Sequence, residues 1–284
     1  MIEMFIKPKR AERRPWEMFF VGLFYASLSL LLVTYVFRGD DILKEGSGLL
    51  LVIFTVMCCL PFVYYIIKLE EGKDIEIDDS GKLIKEHSKA IRALMWLFLG
   101  FVVAFAFWYI ILPDVAGQNF NFQIRTFCAI NNPSNYDFCV ETYGASKLTA
   151  SATSSRVFLS IFSNNISVLI FTIIFSLVFG AGAIFILVWN ASVIAAAMGI
   201  FARADMAQLP IALARYMIHG IPEIAAYFVG ALAGGIISVA IIRKDLVGER
   251  KWIILQDAVL LTIIAVVILI VAGLMEVYLT PLFF

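Results

Sequence analysis

His219, Glu223, Asn190 and Glu276 are polar or ionisable residues set in otherwise hydrocarbon-soluble sequence. A histidine four residues before a glutamate, in His219-Gly220-Ile221-Pro222-Glu223, can hydrogen-bond, relay a proton or face an ion. Polar groups at membrane depth are costly unless paired or lining a wet cavity, so they mark candidate sites. Between Trp189 and Glu223 the apolar run is also interrupted by Arg203, Asp205, Gln208, Pro210 and Arg215. Non-helical backbone at that depth survives only where protein or water satisfies it. The sequence therefore predicts a broken or re-entrant helical region at 190–220.

Two uses of this region stay open. Pro222 suits the first turn of a helix, which predicts a helix start at Gly220-Ile221-Pro222 with Glu223 favoured by the helix dipole. His219 would then hydrogen-bond Glu223 as a structural cap, with Asn190 satisfying a neighbouring break. Alternatively, half-helix ends converge and His219, Glu223, Asn190 and Glu276 line a site for an ion, a proton or a polar head group. Three of these residues could supply a nitrogen and two oxygens to a metal. However, no His-Glu-x-x-His element or thiolate cluster supports one, and neither a metal nor any other cofactor is expected. With no Gly-x-Ser-x-Gly element and no nucleotide-binding loop, no catalytic residue is assigned and no enzyme is expected. Any ATP-driven role would need a partner ATPase.

The elements that must position these residues are membrane spans. The chain of 284 residues is 62% hydrophobic and 15% charged, with mean hydropathy +0.92, well outside the range of soluble domains. The fold class is all-α: a polytopic transmembrane bundle of six or seven spans forming a single membrane domain over 1–284. Net charge is zero, which gives no reason to expect a nucleic-acid partner. Residues 1–16, with Lys7, Lys9, Arg10, Arg13 and Arg14, read as a basic cytoplasmic tail before an anchoring span at 17–37. A second span at 48–68 holds Pro61, where a kink is expected. Residues 69–90 form a charged cytoplasmic connection in which His87, among Lys85, Glu86 and Lys89, reads as part of a solvated helix face. A third span follows at 91–112.

Residues 113–164 read as an extracytoplasmic loop carrying a short interfacial helix. Cys128 and Cys139 in this loop are a disulfide candidate in an oxidising exterior. Cys58 and Cys59 read as inert packing groups inside a span. Asn164-Asn165 is expected to cap span four, 166–188. Small residues four apart (Ser176/Gly180 with Gly182, Ala195/Gly199, and Ala226/Gly230/Gly234) let helices approach closely in lipid. They fit either packing within one subunit or a homodimer seam. If 191–220 dips in and returns, the basic 243–251 loop lies outside. If it crosses, that loop is inside and there are seven crossings, which the positive-inside rule favours. The last span is 253–279.

Several of these elements together resemble the stage II sporulation protein M family. They are Asn164-Asn165 before a span, Gly180/Gly182, Asn190 after it, Ala197-Met198-Gly199, His219-Gly220-Ile221-Pro222-Glu223, the Ala/Gly ladder, and Glu276 with Thr280-Pro281. The resemblance covers 165–284 as a family-like core and departs at Asn190-Ala191, where the family often has Asn-Gly. It implies an integral protein of the cell membrane. Because the namesake works with peptidoglycan-degrading partners during engulfment, it also implies a non-enzymatic scaffold or subunit of a membrane complex. Most members have no settled activity. The rival expectation is a transporter or channel-like protein with a proton- or ion-linked site. Expected partners are the lipid bilayer, a second copy of the chain, and other membrane proteins.

Overall fold

The computed structural model describes residues 7–37, 43, 45–77, 80–131, 154–180, 183–204, 206–244, 248 and 250–283. Among these, seven helices are long and apolar enough to cross a bilayer, and the protein is an all-α, multi-pass membrane protein. A short α1 (Pro8–Arg13) precedes α2 (Glu17–Val36), α3 (Ser47–Glu76) and α4 (Ser80–Ile111). Two short helices follow, α5 (Pro113–Asn119) and α6 (Asn121–Asn131). Then come α7 (Ser154–Phe179), α8 (Ile184–Ala204), α9 (Leu209–Arg243) and α10 (Arg250–Leu274). The 20 residues of α2 extend about 30 Å, matching a hydrocarbon core of about 30 Å. An odd number of crossings puts α1 at one end of the bundle, here the near end, and Thr280 at the far end.

Several local expectations change. Asn190 lies within α8, which runs unbroken from Ile184 to Ala204. Pro222 lies inside α9, which starts at Leu209 rather than at Gly220. The chain therefore turns between α8 and α9, with a 3-10 turn at Met206–Gln208, and has no re-entrant break at Asn190 or Gly220. Pro210 at the start of α9 leaves no donor to lose there. Pro222 removes one intrahelical bond without ending the helix, whose buried stretch from Ile224 onward packs against its neighbours. The segment 154–163 is the first part of α7, not a separate interfacial helix, and Asn164-Asn165 sits within that helix rather than at its cap. Cys128 is buried on α6. Cys139 and Gly182 lie outside the described residues, and so does the expected Cys128–Cys139 pairing.

The small residues serve packing within the chain. A Cβ on Gly22 of α2 would stand 2.2 Å from the Leu97 carbonyl of α4, and one on Gly234 of α9 would stand 2.5 Å from the Ile173 carbonyl of α7. A Cβ on Gly230 would meet Leu169 of α7 at 2.4 Å, and one on Gly199 would meet the Tyr109 ring at 2.1 Å. Gly180 ends α7 with φ +61, the left-handed region where glycine avoids a Cβ clash. The Ser176 hydroxyl lies 2.7 Å from the Gly180 carbonyl and 2.6 Å from the Ala231 carbonyl of α9. Between the ends the core is aromatic and aliphatic: Phe101, Phe105, Tyr227, Phe228, Leu97 and Leu232 are all fully buried.

Candidate functional site

The C-terminal turns of the last span bring three of the four expected site residues to one place. After α10 the helix widens into a π turn at Met275–Leu279, followed by α11 (Thr280–Phe283). Such single-turn widenings are frequent at functional sites. Glu276 is in this turn, close enough to Glu223 of α9 for the two carboxylates to interact electrostatically. The Tyr227 hydroxyl, one turn along α9, donates to Glu223 Oε1 at 2.7 Å. His219 Nδ1 lies 3.3 Å from Thr280 Oγ1. The Thr280 hydroxyl donates to the Met275 carbonyl at 3.1 Å, so its single hydrogen is used and the histidine nitrogen is the donor between them. Thus Glu223 is held by Tyr227, and His219 by Thr280, rather than each by the other.

Among the described residues neither Glu223 nor Glu276 has a Lys or Arg within ion-pairing distance. At 1.5 Å per residue, Glu223 lies about 30 Å along α9 from Arg243 at the near end. Asn190 does not join it. It sits on the near half of α8, where its side-chain Nδ2 donates to the Ile186 carbonyl of its own helix at 2.8 Å. Arg203 caps the far end of α8 separately, with its guanidinium 4.4 Å over the Tyr109 ring and donating to the Tyr109 carbonyl.

A second polar group, at the near end, is one that the local charge pattern conceals. His87 is buried, not on a solvated face, and is 1% exposed. Its Nδ1 lies 2.8 Å from Glu70 Oε2 and its Nε2 3.1 Å from Asp257 Oδ2. A neutral imidazole can donate to one of these carboxylates only, whereas a doubly protonated ring serves both. Lys73 Nζ donates to Glu70 and Glu12 at 2.7 Å each, and Arg243 pairs with Glu71. The charged ends of α3 and α4 are therefore helical and folded inward, joining α1, α9 and α10. Burial, followed by a hydrogen-bond contact with Glu70, pushes the Glu12 carboxyl on α1 up to about 7. One signal for this group is present in the sequence: Asp257 is an acid inside the last apolar span, and such a residue requires a buried partner.

No curated protein and no solved structure matches the chain. The stage II sporulation protein M family matches residues 93–281. That match takes in α4 from Ala93 onward, well before the motif-bearing half at 165–284, as well as the whole Glu223–Glu276 group. Two thirds of the sequence carries this pattern, and the chain belongs to the stage II sporulation protein M family.

Proposed function

We propose that the protein is a non-enzymatic scaffold or subunit of a membrane complex. The observation that carries this reading is the separation of its two polar groups by about 30 Å of packed apolar core. His87, Glu70 and Asp257 tie the helices together at the near end, while His219–Thr280 ties α9 to the end of the last span at the far end. Phe101, Phe228 and Leu232 fill the interval. Polar ties at both ends of a dry core suit a rigid body that presents its outer faces to others. The namesake's work with other proteins supports the same reading. An N-terminus in the cytoplasm, favoured by the basic α1, belongs to this proposal.

The outer face of α7 exposes Ile170, Phe171, Ile174 and Val178, and it is where a neighbouring membrane protein or a second copy would sit. Photo-crosslinking amino acids at Phe171 and Val178, activated in native membranes, test this. Discrete protein adducts of fixed mass are expected; lipid adducts alone contradict a scaffold role.

A second reading, a transporter or channel-like protein, is favoured by one observation: Glu276 of the π turn faces Glu223 of α9, and neither has a cationic partner among the described residues. In this reading the carboxylates hold a proton or a cation, and the core between the two groups must open to water at some stage.

A further inference from the structure

We propose that the near end of the bundle binds an anionic phospholipid from the adjacent leaflet, with its phosphate on Lys9, Arg13 and Arg92 and an acyl chain along α4. Two cavities meet at Arg92. One, of about 440 Å³, lies between α1, α3 and α4 and is lined by Lys9, Arg13, Lys73, Lys89 and Arg92, with only Glu12 and Glu86 opposing them. The other, of about 290 Å³, is an almost wholly apolar groove lined by Met95, Trp96 and Leu99 of α4 and Met217 and Ile221 of α9, with Arg92 also on its wall. A cationic pocket that shares Arg92 with an apolar groove has the two-part chemistry of a phospholipid.

The charges that matter are the uncommitted ones. Lys73 is engaged by Glu12 and Glu70, and Lys89 by Glu86. Among the described residues Lys9 and Arg13 have no carboxylate partner, and the Arg92 Nε donates only to the Ser88 carbonyl at 3.3 Å. Arginine presents a planar fork of donors that matches phosphate oxygens. Trp96 and Ile221, 40% and 52% exposed, give the groove the apolar rim that a chain would cover.

The test uses the full-length protein in phosphatidylcholine nanodiscs doped with a small fraction of brominated-chain lipid, which quenches tryptophan on contact. Brominated phosphatidylglycerol should quench more than brominated phosphatidylcholine at equal fraction, and part of the excess should vanish in Trp96→Phe. Arg13→Gln and Arg92→Gln should each reduce the preference roughly fivefold, while Arg92→Lys, which keeps the charge but loses the fork, retains part of it. Excess glycerol phosphate in solution should leave the preference intact. Equal quenching by the two lipids, an excess untouched by Trp96→Phe or by charge removal, or full competition by glycerol phosphate would each overturn the proposal.

Discussion

Among single residues, His87 is where the chain concentrates its electrostatic risk. Its two ring nitrogens face Glu70 and Asp257, which come from helices far apart in sequence. Removing one partner of a buried charged group leaves the others uncompensated, which is worse than never having had them. His87→Ala should therefore lower stability in detergent by about 2–4 kcal/mol, read as a drop in melting temperature and a loosened α1. His87→Ala combined with Asp257→Asn should recover part of that loss, because one stranded carboxylate is gone. A melting curve unchanged in His87→Ala would mean that water already serves these groups. Lys85, Glu86 and Lys89 make the segment look solvated in the sequence, and only the fold brings Glu70 and Asp257 to it.

Between helices, the Ala/Gly ladder sets how closely α9 approaches α7. Gly234 meets a backbone carbonyl, which cannot move aside as a side chain can. Gly234→Ala should lower stability by about 1–3 kcal/mol through overpacking. Gly220, in the same helix, has open space around its Cβ position, so Gly220→Ala should raise stability by roughly 0.5–1 kcal/mol through helix propensity. Equal effects at the two positions would remove the ladder from helix packing. Apolar runs and small-residue spacing make the spans and their close crossings legible in the sequence. The joints are not. Asn190 and Pro222 are usual helix-end residues, yet α8 carries a self-bonded asparagine and α9 a proline without breaking. The actual turn at Met206–Gln208 falls where Arg203, Asp205, Gln208 and Pro210 cluster, inside the predicted 190–220 break but at neither of its expected joints.

Taken whole, the described residues form a body of seven candidate spans with polar groups at both ends of a packed apolar core. His219, Glu223 and Glu276 are legible as a group, since each is polar in apolar sequence. Their partners Tyr227 and Thr280 are not, because a tyrosine or threonine in a span is ordinary until its neighbour is known. The dryness of that core can be probed by aqueous thiol labelling of single cysteines at His219, Glu223 and Glu276, and at Ala226 and Ala233 in the core. The background lacks Cys58, Cys59, Cys128 and Cys139, and reagent is added from each side in turn. A dry core predicts that any labelling of the first three comes from the far side only, and that Ala226→Cys and Ala233→Cys stay unlabelled from both. Labelling of Glu223→Cys or Glu276→Cys from the near side, or of the two core positions from either side, would contradict it and establish a water path through the bundle.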